Sequence, residues 1–181
     1  MTSTNASTGS PQAGEGTVYA AHGHYLLQDY DGAPDIPADT WVDNGLVSVG
    51  STGAIVLTGT VWGPVALRVE VHTTAPPVDP TGWEQVVEVE QHTPSGTISV
   101  NSPLGDVPVE LPALETTPDS WYRIRVHARG ILEARQYPAT VETPIEHHLV
   151  QLWPCTPETA DTEFPNPATR EYRVLYPQPA G

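Results

Sequence analysis

The chain has 181 residues, of which 22 are Asp or Glu and seven are basic, all seven of them arginine, giving a formal net charge of -15. A surface of that sign repels phosphate backbones and anionic lipid, which excludes nucleic acid and membranes as ordinary partners. Twenty Pro and 15 Gly exclude long helices, while 38% hydrophobic residues still suffice for the core of one all-β domain.

Residues 1–16 are rich in Ser, Thr, Gly and Ala, with no basic start and no apolar run, and read as a disordered tail rather than a signal peptide. Residues 17–28 read as a first strand with Val18, Ala20, Tyr25 and Leu27 at its apolar positions. A polar, Pro-punctuated loop follows over 29–40, then short strands over 41–49 and 54–61. The clearest segment is the next, where Val65, Leu67, Val69 and Val71 alternate with Ala66, Arg68, Glu70 and His72.

A Pro-rich connection over 73–82 leads to a strand over 83–92, with Val87 and Val89 on one face and Glu84, Glu88 and Glu90 on the other. The turn Thr93-Pro94-Ser95-Gly96 predicts a hairpin into 97–100, and 107–111 reads as an edge strand because Pro108 cannot donate to a ladder. Residues 121–128 alternate again, Tyr122, Ile124, Val126 and Ala128 against Arg123, Arg125 and His127. Residues 131–136 predict one helical turn before Pro138, and 146–153 a late strand with His148, Val150 and Leu152 in alternation. Residues 17–154 therefore form the domain, predicted as an antiparallel β-sandwich of jelly-roll or immunoglobulin-like type. Residues 155–181 form a Pro-rich extension with an add-on strand over 171–176.

His22 and His24 sit two apart in a predicted strand, as some jelly-roll metal ligands do; the first carboxylate to follow is Asp29, and His127 or His148 closes such a site only if the fold brings it near. They are weak metal candidates, and the plain alternative is a pair of surface imidazoles. No cofactor is expected. Asp29, Asp31, Asp35 and Asp39 crowd one loop, yet the twelfth position of a helix-loop-helix calcium site would be Thr40, not Glu. Cys155 lies between Pro154 and Pro157, outside any helix that would activate a thiol, and no nucleophile or phosphate-binding motif occurs. A catalytic role is therefore not expected. Most of Trp41, Trp62, Trp83, Trp121 and Trp153 should plug the core, with one or two free for a binding rim. Arg123, Arg125 and Arg129 should pair with the Glu face of a neighbouring strand.

The landmarks His24-Tyr25, Trp41-Val42-Asp43-Asn44-Gly45-Leu46, the Val65 to Val71 strand, Ser95-Gly96, Trp121-Tyr122-Arg123-Ile124-Arg125-Val126 and Val150-Gln151-Leu152-Trp153-Pro154 occur in an order that resembles the competence protein J-like family of small nuclease inhibitors. The Gly expected before the Tyr-x-x-Arg strand is replaced by Asp119-Ser120. The resemblance implies a small acidic inhibitor or immunity-type protein. With the charge, it predicts a cytoplasmic, non-catalytic binder of a cationic protein such as a nuclease. Candidate contacts are Glu84, Glu88, Glu90, Asp29, Asp31, Asp35 and Asp39. The alternative from another class is a virion or surface-type assembly module that self-associates through its extended ends.

Overall fold

The computed structural model describes residues 10–29, 44–105, 111–137 and 140–157. Among these described residues ten strands carry the fold: β1 (Gln12–Ala21), β2 (His24–Gln28), β3 (Val47–Val49), β4 (Gly53–Leu57), β5 (Trp62–Val71), β6 (Gln85–Thr93), β7 (Thr97–Asn101), β8 (Leu114–Glu115), β9 (Ser120–Arg129) and β10 (His147–Pro154). The one helix among them, α1 (Ile131–Ala134), falls where a helical turn is predicted.

The strands join in one sheet of order β3-β4-β2-β1-β5-β10-β9-β6, with β7 on β2 and β8 on β7. The all-β class follows the sequence, but the expected arrangement changes in two ways. The sheet is continuous and coils until its two ends, β3 and β6, lie against each other. That seam carries side-chain bonds instead of a ladder: Gln85 Nε2 donates to the Asn44 carbonyl at 2.7 Å, and Gln91 Nε2 to that of Gly50 at 3.2 Å. The pairing is also not wholly antiparallel, because β10 runs parallel to β5.

Alternation decides what faces inward. Val65, Leu67 and Val69 of β5, Tyr122, Ile124, Val126 and Ala128 of β9, and Val150 and Leu152 of β10 are all buried in one apolar cluster. Val18, Ala20, Tyr25 and Leu27 join them from β1 and β2, although in one unbroken strand the even-numbered and odd-numbered pairs would face opposite sides. Each aliphatic side chain so enclosed contributes about 2 kcal/mol relative to exposure.

Three local expectations change. Residues 12–16, assigned to the tail by composition, pair with β5 from Gln12 opposite Val71 to Gly16 opposite Leu67, since an unpaired edge there would leave its backbone without partners. The single first strand breaks at His22 and Gly23, both at positive φ (53° and 75°), and reverses into β2. The Thr93–Gly96 turn is a corner rather than a hairpin: β6 pairs with β9, whereas β7 pairs with β2 and β8. The edge strand predicted over 107–111 and the strand over 171–176 fall wholly or almost wholly outside the described residues.

Candidate functional site

The predicted row of carboxylates on β6 is the natural starting point, and it is not a free acidic face. Arg125 Nε donates to Glu88 Oε1 at 2.6 Å, and Arg123 pairs with Glu90, so two of the three arginines of β9 meet the acids of β6 as cross-strand neighbours. The network extends across the sheet. Arg125 Nη1 reaches Gln151 of β10 at 3.4 Å, Gln151 Nε2 donates to Glu70 of β5 at 3.0 Å, Arg68 binds Glu70 at 2.7 Å, and Arg68 also meets Glu15 of β1 at 3.2 Å. Burial pushes the Glu70 carboxyl up, but hydrogen bonds from Gln151, Arg68 and His72 outweigh it and hold the group below its ordinary value.

Part of this outer face is covered. The carbonyls of Pro76 and Pro77 accept from Arg125 Nη1 at 3.0 and 3.3 Å, which lays the Pro-rich connection over the strands. Glu88 and Arg125 are consequently buried, as are His127 and Trp153, with the Arg125 guanidinium 4.7 Å from the Trp153 ring centre. Glu84 has a different task. Its Oε2 accepts from the backbone N–H of Ile131 at 3.0 Å and caps the start of α1. Asp29 is buried and clamps the corner at Ser95, accepting from its N–H at 2.9 Å and from its hydroxyl. All four described members of the predicted acidic set thus have internal partners; Asp31, Asp35 and Asp39 lie outside the described residues.

His22 and His24 flank the β1–β2 turn instead of sharing a strand face. The His22 ring meets Trp62 at 4.4 Å, and His24 bonds to the His22 carbonyl. Among the described residues no three His, Cys, Asp or Glu side chains gather as a metal site. Of the four described tryptophans only Trp153 is buried. Trp62 and Trp83 are half-buried, and Trp121 is 39% exposed at a rim, so the expectation that most plug the core fails.

Sequence reasoning missed a second group of ionisable side chains, one that lies inside the barrel-like sheet. Glu146, on the approach to β10, turns inward with no exposure. Its Oε2 accepts from the N–H groups of Gly59 and Thr60, both at 2.9 Å, and from the Thr60 hydroxyl at 3.1 Å. Its Oε1 lies 2.8 Å from His148 Nε2, and His148 Nδ1 lies 3.0 Å from the Tyr25 hydroxyl across the interior. Because a carboxylate only accepts, Nε2 carries the proton, and in the neutral ring Nδ1 accepts from Tyr25. Burial opposes the Glu146 charge, but bonds from His148, Thr60 and Gly59 hold its carboxyl below the ordinary value. Burial first, then the Glu146 charge, pushes Tyr25 well above its own.

Two glycines make that approach feasible. A Cβ on Gly59 would sit 2.3 Å from the Ile131 carbonyl, and one on Gly130 (φ 81°) 2.5 Å from that of Ile145. The i, i+2 spacing of Glu146 and His148 was the available signal. Tyr25 could not be linked to it without knowing that β2 and β10 form facing walls. All three side chains are enclosed, so the arrangement braces the interior and offers no surface to a substrate.

What the described exterior does offer is a rim at the β6–β9 end. There Trp121 lies 5.3 Å from the His92 ring, whose Nε2 is 3.0 Å from Asp119, itself a highly exposed residue at φ 50°.

No family model and no curated protein sequence matches the chain. Among solved structures, the fold is similar to that of the protein described as crocagin biosynthetic gene J, with a TM-score of 0.54 and 17% identity over 82% of this chain and 100% of that one. It is similar as well to ComJ of Bacillus subtilis, described as the inhibitor of the DNA degrading activity of NucA, with a TM-score of 0.54 and 10% identity over 81% of this chain and 100% of that one. The resemblance to the competence protein J-like proteins is therefore one of fold.

Proposed function

We propose that the chain is a non-catalytic, inhibitor-type binding protein that engages a cationic protein, a basic nuclease being the type of partner meant. The observation that carries this reading is the charge balance: 22 acidic against seven basic residues, with Arg68, Arg123 and Arg125 already committed to carboxylates inside the sheet. The remaining field is strongly negative and would steer a basic surface into contact. The shared fold with ComJ, a nuclease inhibitor by its description, points the same way.

The contact is best sought at the β6–β9 rim. Trp121 there gives an aromatic face and Asp119 an exposed carboxylate, a combination suited to an arginine or lysine of the partner. The buried Glu88 is not part of this surface. Binding to a basic nuclease should weaken steeply as salt rises, because exposed charges are screened within about 10 Å at 0.1 M. Trp121→Ala and Asp119→Asn should each reduce affinity by roughly tenfold, as read by titration calorimetry. Binding indifferent to ionic strength and to both substitutions would sink the reading. Concentration-dependent growth in size-exclusion chromatography, with no binding to the nuclease, would favour the assembly alternative.

A further inference from the structure

We infer that a cleft between β1, β5 and β10, roofed by the β9 end, is a binding site for a carboxylate. It encloses about 200 Å³ and is lined by Arg129, His147, Trp83, Arg68, Glu15 and Leu149, among others. The argument begins with an exception. The other three arginines on the sheet, Arg68, Arg123 and Arg125, each contact a glutamate, in a chain where acids outnumber bases about three to one. Arg129, on the same strand as two of them, has no carboxylate partner among the described residues. Its guanidinium instead lies 5.2 Å from the centre of the Trp83 ring.

A guanidinium laid against an indole is held in place while its N–H edge stays available, the geometry suited to a planar two-oxygen acceptor. His147 stands directly opposite Arg129 in the β9–β10 register and makes no side-chain hydrogen bond among the described residues, which leaves a second donor on the same cleft. Arg68 lies one rung further along but is neutralised by Glu15 and Glu70, so it shapes the wall and contributes little net charge. Leu149 gives that wall an apolar stretch for a short aliphatic stem. The cleft has space for about six water-sized volumes, enough for a small acid or a chain terminus and too little for a large ligand. Glu15 at the rim and the net charge of -15 both count against a dianion, so a singly charged carboxylate is favoured over phosphate.

This inference is independent of the proposed inhibitor role. Its test is a titration of the full chain, isotopically labelled and followed by amide NMR at pH 7, with sodium acetate against sodium chloride at matched ionic strength. Acetate should give saturable shifts at the amides of Arg68, Arg129, His147 and Leu149. Arg129→Gln should weaken the fitted affinity by about tenfold, and Arg129→Lys by less, while the rest of the spectrum certifies the fold. Shifts that never saturate, that chloride reproduces, or that persist unchanged in Arg129→Gln would overturn the site, as would tighter binding of inorganic phosphate than of acetate. A short peptide with a free terminal carboxylate, beside its amide, distinguishes the sources. Preference for the peptide acid over acetate assigns the site to a polypeptide end, and equal binding to a free small acid.

Discussion

Glu146 keeps its charge without water because four donors replace the solvent, and that exchange sets how the protein responds to acid. Its carboxyl is held below the ordinary 4.5, so the folded state binds its proton less readily than the unfolded state does. The stability it contributes is complete above 4.5 and is lost as pH falls through the lower folded value. His127 acts at higher pH. Burial, with Arg125 adding to it and the Leu149 carbonyl opposing, pushes its ring from 6.5 down to about 4. An unfolded chain therefore takes up this proton first, and stability present above 6.5 declines between 6.5 and about 4, by at most roughly 3 kcal/mol. Denaturant titrations across pH should show two successive losses. His127→Gln should flatten the upper one and Glu146→Gln the lower, the latter at a cost of about 3 kcal/mol at neutral pH. A profile that keeps both slopes in the variants would contradict the assignment. None of this was visible in the sequence, where His127 and Glu146 each look like an ordinary polar strand residue. What makes them unusual is the Trp83 ring 5.3 Å from one and the Gly59 loop against the other.

Among the elements, the paired faces of β6 and β9 were the most legible. Alternation in Val87, Val89, Tyr122, Ile124 and Val126 marks one side as core, and the Glu and Arg rows on the other side are complementary in charge. Their pairing could be anticipated from the strand pattern alone. Their burial could not, because the residues that cover them, Pro76 and Pro77, carry no pattern that specifies where a loop will lie. Removing Arg125 takes from the enclosed Glu88 its close charge partner and leaves it with the more distant Arg123 at 3.8 Å, whereas removing both with apolar replacements avoids that imbalance. Arg125→Met is accordingly expected to lower unfolding stability by about 2 to 3 kcal/mol, and the double variant Glu88→Leu with Arg125→Met to recover part of that in thermal and chemical melts. Equal losses in the single and double variants would show that the pair contributes nothing through its charges. The broken first strand was misread for a related reason. His22 and Gly23 adopt positive φ because the chain must turn there to place Tyr25 inward, and only Gly23 of the two signals a turn by its type.

For the molecule as a whole, composition established the all-β class and the negative field, while the connectivity had to be seen. A parallel β5–β10 pair joins strands some 80 positions apart, and no local signal predicts it. It also makes β10 the link between two halves of the sheet, β3-β4-β2-β1-β5 on one side and β9-β6 on the other. A chain ending after residue 157 should melt cooperatively, and one ending after residue 146 should not, as circular dichroism would report; cooperative melting of the shorter chain would refute the role given to β10. During synthesis the same connectivity imposes an order of events. Until His147–Pro154 leaves the ribosome, β5 and β9 each present an unsatisfied edge, so the nascent protein must wait, with two adhesive margins open, for β10 to arrive between them.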